Sequence, residues 1–220
     1  MNLGQLEQLI AEIRRLSFAD DKTSLGNALA LDREGQLLND GKSEFDVIMF
    51  GDLNDFKHLN DLHGHDAGDI AIRAAGEAIR KLAIEELEAQ AFRQSGDEFV
   101  ILLKQGAMAR FISAAASLGS IKFSHYEDEL ATAMSLGYVH TDGKTSFRDL
   151  LTRAETACQY AKAQGDGACI EWVEDMERNP LLRIAGRCLD CAARISCNVL
   201  KQNAPSTLTC CPCCGGTALA

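Results

Sequence analysis

Ala91-Phe92-Arg93-Gln94-Ser95-Gly96-Asp97-Glu98-Phe99-Val100-Ile101-Leu102-Leu103 is the stretch on which the fold turns. Apolar, β-prone residues flank Ser95-Gly96-Asp97, and small polar residues of this kind favour a tight turn. The segment reads as strand, turn, strand, and it carries Asp97 and Glu98 to a hairpin tip. A second strand signal lies upstream, in Phe45-Asp46-Val47-Ile48-Met49-Phe50, and it ends at Gly51-Asp52. If these strands are neighbours, Asp52, Asp97 and Glu98 converge at one end of a sheet. Carboxylates so placed are hard oxygen ligands suited to Mg2+ or Mn2+.

Working outward, residues 68–84 and 107–116 carry apolar positions at helical period. Ala131 to Val139 reads as a third strong strand, Phe147 to Ala163 as a further helix, and Ile170 to Val173 as a last short strand. Strands alternating with helices imply a layered α/β domain. Asp20 to Asn27 is polar and turn-like. Ahead of it, Leu3, Leu6, Leu9, Ile10, Ile13 and Leu16 recur at helical spacing among charged residues, which marks an amphipathic helix over about 1–19. The first reading of that helix is one packed on its own domain. The alternative is a dimer-forming or signalling helix.

Composition narrows the function. Of 220 residues, 46% are hydrophobic and 25% charged, ordinary for a globular protein and unlike a disordered chain. Lys plus Arg number 22 against 32 for Asp plus Glu, a formal charge of −10. An acidic chain does not coat a phosphate backbone by bulk electrostatics, so any phosphate chemistry must be local and metal-assisted. The first residues lack a signal peptide's apolar stretch, and nothing approaches a membrane span. The expectation is a cytoplasmic protein with no membrane partner.

Nine cysteines are present, none before residue 158. Cys158 and Cys169 stand alone, and seven crowd into the C-terminal tail, beyond a charged join at 174–187. Cys188-Leu-Asp-Cys191 and Cys211-Pro-Cys-Cys214 form two C-x-x-C knuckles, four thiolates for a tetrahedral structural Zn2+. Cys210 with Cys213 is an alternative register, and Cys197 is spare. The tail resembles a zinc ribbon. Arg183, Arg187, Arg194 and Lys201 make it locally basic, which suits a protein or nucleic-acid partner or the catalytic domain itself.

The first acidic segment continues Asp52-Leu53-Asn54-Asp55-Phe56-Lys57, then Asn60-Asp61, Gly64-His65 and Gly68-Asp69. Together with Arg93-Gln94-Ser95-Gly96-Asp97-Glu98-Phe99 it resembles the two signatures of the GGDEF family of diguanylate cyclases. Weaker echoes lie at 21–31, 135–137 and 154–165. The resemblance spans about residues 20–173. It implies a central, mostly antiparallel sheet flanked by helices, like the palm of nucleotidyl cyclases and polymerases. The implied organisation is an N-terminal helix (1–19), a cyclase-like domain (20–175), and a linker with the zinc ribbon (176–220).

The activity it implies is condensation of two GTP to cyclic di-GMP and pyrophosphate by a homodimer arranged head to tail. The resemblance assigns Mg2+ (or Mn2+) to Asp52, Asp97, Glu98 and the Leu53 carbonyl, with Glu98 a second-metal ligand or general base. It assigns phosphate contacts to Lys57 and Lys162, with the backbone amides of 54–56, including Phe56, as a phosphate cradle. Gly96 admits close approach of the nucleotide. Asn60 and Asp69 match the guanine contacts. A carboxylate at Asp69 accepts from guanine N1–H and N2–H2, whereas adenine offers it an unprotonated N1.

Four departures stand out. Ser95 replaces the first signature glycine, and is strained only if its φ must be positive. Asp166 falls where an arginine is usual. Gln159 takes a tyrosine position. Glu86-Leu87-Glu88-Ala89 replaces the R-x-x-D of the product-inhibition site, so inhibition there is expected to be absent. Two alternatives follow: a catalytically silent GTP-binding module, or a related cyclase making another cyclic nucleotide.

Overall fold

The computed structural model describes residues 2–85, 87–165, 167–178, 181–188, 194–200 and 218–219, with only the backbone of 11, 14, 15, 85 and of the residues from 177 onward. The central sheet has the strand order β2-β3-β1-β6-β7, with β1 Val47–Leu53, β2 Gln90–Ser95, β3 Glu98–Leu103, β6 Met134–His140 and β7 Cys169–Glu171. All neighbours pair antiparallel except β6 and β7, which pair parallel. This is the mostly antiparallel palm-like sheet that the two acidic signatures imply.

β1 is the central strand, and its alternation sorts the core into two layers. Val47, Met49 and Leu53 point into a cluster with Ile72, Ile79 and Phe111, covered by α4 (His65–Ile79) and α5 (Met108–Ala115). Ile48 and Phe50 point the other way, to Leu31 of α2 (Ala28–Asn39) and Leu150, Ala154 and Cys158 of α6 (Phe147–Gln164). Phe50, Phe99 and Phe111 are each no more than 1% exposed, and each contributes about 1.5–3 kcal/mol by burial. Asp52 shares the parity of Ile48 and Phe50, so its side chain emerges on the α6 layer. Glu98 shares the parity of Val100 and Leu102, and it emerges on the same side.

α6 lies directly on β6. A Cβ added to Gly137 would sit 2.1 Å from the Cys158 amide nitrogen and 2.2 Å from the Ala154 carbonyl oxygen. Only glycine permits this approach, and it brings the C-terminal half of α6 over the end of β1.

Several boundaries differ from the sequence reading. The helix expected at 68–84 starts at His65, ends at Ile79 and runs on as a π-helical turn, Arg80–Glu85. The strand expected at 131–139 is two strands: β5 (Asp128–Thr132), paired with β4 (Ile121–His125) in a separate hairpin, and β6 in the main sheet. They separate at Ala133, whose carbonyl accepts the Asn54 amide at 2.7 Å. α3 (Phe56–His63), which the sequence reading does not assign, carries Phe56, Leu59 and Leu62 at helical spacing but buries no residue fully.

α1 (Leu3–Phe18) is a helix as expected, but it does not bury its stripe on its own domain. Leu3, Leu6, Leu9, Ile10, Ile13 and Leu16 are 39–72% exposed. Among the described residues no helix is long and apolar enough to cross a membrane.

After a short helix α7 (Asp175–Arg178), strands β8 (Leu181–Cys188), β9 (Arg194–Leu200) and β10 (Ala218–Leu219) form a three-stranded antiparallel sheet. Cys191, Cys210, Cys211, Cys213 and Cys214 lie outside the described residues, as do the side chains of Cys188 and Cys197. The zinc-ribbon ligand set therefore falls there too. Among the described residues no group of three or more His, Cys, Asp or Glu side chains is gathered to hold a metal.

Candidate active site

The β2–β3 connection is tighter than the sequence suggests. Ser95 pairs directly with Glu98, a bulge lies between Arg93 and Ser95, and the turn itself is Gly96-Asp97. The positive φ falls on Gly96 (+44°), while Ser95 stays out of the left-handed region, so serine replaces glycine without backbone strain. Among the described residues no atom lies within 4 Å of a Cβ built on Gly96. The turn thus presents bare backbone to open space.

Asp52 stands opposite Glu98 in the β1–β3 ladder, and the Leu53 amide donates to the Asp97 carbonyl at 3.3 Å. The strand ends thus bring the three acids side by side, although they do not close into a three-carboxylate cage. Each of two side chains has taken another partner. Lys162, from α6, forms an ion pair with Asp52, and Ser95 Oγ donates to Glu98 Oε2 at 2.5 Å. Burial pushes the Asp52 carboxyl up to about 6; the nearby Asp97 and Glu98 charges add to this, and Lys162 works against it. Burial also raises Asp97, with Glu98 adding to the shift. Negative charge is thus costly here, and a divalent cation would relieve it. The donor set of hard carboxylate oxygens fits Mg2+ or Mn2+.

The loop after β1 is strained. Asp55 has φ +52° at the entry to α3 and caps it with no side-chain hydrogen bond. The Asn54 amide is taken by Ala133, so of the expected cradle only the Asp55 and Phe56 amides are left to meet a phosphate. Lys57 stands exposed in the first turn of α3.

The two residues expected to read the base lie on α3 and α4. Asn60 Oδ1 is buried with no hydrogen-bond partner among the described residues; a Cβ on Gly68 would lie 2.0 Å from it and 3.1 Å from Phe56 Cζ. Gly68 is therefore the residue that lets α3 and α4 close on each other. Asp69 follows it and forms an ion pair with Lys22, which holds its carboxyl below the ordinary value.

Sequence reasoning gave no role to Arg93, Asp20 or Lys22, although all three lie in the quoted stretches. Arg93 Nη1 bonds Asp20 Oδ2 at 2.9 Å, with both side chains at most 15% exposed, and Arg93 Nε donates to the Gly96 carbonyl at 2.9 Å. Asp20 Oδ1 in turn accepts from the Lys22 and Thr23 amides and from Thr23 Oγ1 at 2.8–3.2 Å. Burial alone would raise Asp20, but the Thr23 hydrogen bonds and Arg93 pull it below its ordinary value. Arg93 thus fastens the signature turn to the loop that leaves α1. The signal missed was spacing: the two partners are 73 residues apart. Asp166 lies outside the described residues, so its replacement of arginine has no structural account here.

The family profile for the diguanylate cyclase GGDEF domain matches residues 17–168. The chain belongs to the GGDEF domain family. It is 29% identical over 169 residues to the bifunctional diguanylate cyclase/cyclic di-GMP phosphodiesterase MucR of Pseudomonas aeruginosa, covering 72% of this chain and 24% of MucR. It is 30% identical over 120 residues to the diguanylate cyclase DgcM of Escherichia coli, covering 54% of this chain and 28% of DgcM. The chain therefore spans about a quarter of the length of these two relatives. The solved structure of the coiled coil and GGDEF domain of DgcB from Caulobacter crescentus, in complex with c-di-GMP, superposes with a TM-score of 0.65 at 22% identity. It covers 77% of this chain and 93% of that one, a likeness of fold.

Proposed function

We propose that this protein is a diguanylate cyclase that joins two GTP molecules into cyclic di-GMP with release of two pyrophosphates. The observation that carries the reading is geometric: Asp52 stands opposite Glu98 in the β1–β3 ladder, Asp97 lies beside them at the turn, and Lys162 faces this strand end. These carboxylates and the Leu53 carbonyl would hold a divalent ion, which would neutralise charge on the triphosphate and acidify the attacking 3′-hydroxyl. Lys162 exchanges the Asp52 carboxylate for phosphate oxygens, and Lys57 and the Asp55 and Phe56 amides meet the outer phosphates. Gly96 lets the nucleotide lie against the turn. Asp69 and Asn60 select guanine. Glu98 accepts the hydroxyl proton as the 3′-oxygen attacks the α-phosphorus and the bond to pyrophosphate breaks.

One domain offers half of what the product needs, so two copies act head to tail. The exposed apolar stripe of α1 supports pairing as a coiled coil beside the catalytic domains. Glu86 and Ala89 in place of arginine and aspartate remove product inhibition at that position. The C-terminal cysteines hold one structural Zn2+ through Cys188, Cys191, Cys211 and Cys214; the antiparallel strands β8, β9 and β10 are consistent with such a ribbon.

A second reading has a specific observation behind it. Ser95 holds the signature glutamate at 2.5 Å, an interaction glycine could not make. If that bond persists with nucleotide bound, the domain is a GTP-binding module without turnover. Incubation of the protein with GTP or ATP and Mg2+, followed by mass spectrometry, separates the readings. Cyclic di-GMP that disappears in Glu98→Ala supports the cyclase. GTP-dependent thermal stabilisation without product supports the silent module. An adenine-containing product refutes the role given to Asp69.

A further inference from the structure

Lys22 sits beside the carboxylate assigned to the base. Its backbone is held firmly. Asp20 Oδ1 accepts from the Lys22 amide at 3.2 Å and from the next residue, Thr23, twice. Thr23 is 8% exposed and lies against Gly76 of α4, where a Cβ would come within 2.6 Å of the Thr23 Cβ. Asp69 is two helical turns before Gly76, on the same face of α4. The lysine therefore runs along that face and delivers its ammonium to Asp69 Oδ1.

We infer that Lys22 and Asp69 together form the guanine-reading edge, with Lys22 donating to guanine O6 while Asp69 accepts from N1–H and N2–H2. The inference rests on the assignment of Asp69 to the base. Along its Watson–Crick edge guanine presents an acceptor, a donor and a donor in that order. Its natural complement, cytosine, presents a donor, an acceptor and an acceptor. A carboxylate supplies the two acceptors but cannot meet O6, which would be left facing a like partial charge. An ammonium bonded to one carboxylate oxygen stands next to the acceptor pair and completes the cytosine-like order.

The same arrangement rejects adenine twice. Adenine N1 meets an acceptor, and its 6-amino group meets the Lys22 donor. Both side chains are 37–39% exposed, so the ion pair alone adds little to stability. What it adds is a fixed donor beside fixed acceptors.

Isothermal titration with nucleoside diphosphates and Mg2+ tests this, because diphosphates bear no pyrophosphate leaving group. The intact protein should bind GDP about tenfold more tightly than 6-thio-GDP, whose sulfur is a poor acceptor but whose N1–H and 2-amino group are unchanged. Lys22→Met should bind GDP about tenfold more weakly and lose the preference for oxygen over sulfur. It should also gain affinity for ADP. Lys22→Arg should keep most of the preference. Unchanged GDP affinity in Lys22→Met would show a surface ion pair with no part in recognition. Tighter GDP binding would show that Lys22 competes with the base for Asp69. Either result overturns the inference. Asp69→Asn separates this from the larger reading. If Asp69→Asn leaves GDP affinity intact, the base assignment itself fails; if it weakens GDP while Lys22→Met does not, only the role of Lys22 fails.

Discussion

Asp52→Asn should make the protein more stable as it removes the proposed activity. The Asp52 side chain is 13% exposed, lies beside two other carboxylates, and titrates near 6 against an ordinary 3.8. That displacement corresponds to about 3 kcal/mol of folding free energy, with the opposing attraction of Lys162 already included. A carboxyl raised on folding is easier to bury neutral than ionised. The stability of the neutral form is fully present below pH 3.8 and is lost as the pH rises through about 6. Asparagine mimics the neutral form at every pH. At pH 8 the variant should therefore resist urea better than the parent by up to about 3 kcal/mol, roughly 6–12 °C in melting temperature for a domain of this size. Near pH 4 the two curves should coincide. Urea titrations at pH 4, 6 and 8, in chelator, read this directly. A variant no more stable than the parent at pH 8, or a gap that does not close on acidification, would refute the electrostatic account of the site. Stability sacrificed at a functional carboxylate is a common trade.

Ser95→Gly removes the hydroxyl that holds Glu98 and should raise the initial rate of cyclic di-GMP formation several-fold; a fall in rate would show that the serine supports the turn. Arg93→Met strands Asp20 in a site only 15% exposed and should cost about 3 kcal/mol in urea unfolding, with Asp20→Asn in the same chain recovering part of the loss. Gly137→Ala forces a methyl into the α6 backbone and should cost about 3 kcal/mol or more, or prevent soluble expression, whereas Gly96→Ala meets no atom and should cost about 1 kcal/mol for its positive φ. Metal analysis should find one zinc per chain, lost when Cys188 and Cys191 are both changed to Ser; less than one zinc in the intact protein would refute the ribbon.

What the sequence disclosed was local. The run from Ala91 to Leu103 is legible because an unbroken apolar, β-prone stretch, Phe99 to Leu103, follows the small polar residues Ser95-Gly96-Asp97, and α6 because its stripe persists over four turns. The acids were legible because they stand where strands end. The partners of those acids were not. Lys162 reaches Asp52 across 110 residues and Lys22 reaches Asp69 across 47, and both pairings exist only once α6 and α4 are packed on the sheet. The β4–β5 hairpin escaped for a different reason. Lys122, Ser124, Asp128 and Glu129 face solvent, so half of each strand reads as loop. The exposed stripe of α1 shows the reverse error: periodicity reveals an apolar face but not what will cover it.

The central claim is that Asp52, Asp97 and Glu98 act together on one divalent cation beside the nucleotide. Electron paramagnetic resonance of Mn2+ titrated into the protein with GDP present measures this most directly. The account predicts tight, GDP-enhanced Mn2+ binding in the parent and a loss of at least tenfold in both Asp52→Asn and Glu98→Gln. Mn2+ affinity unchanged in both variants would contradict it.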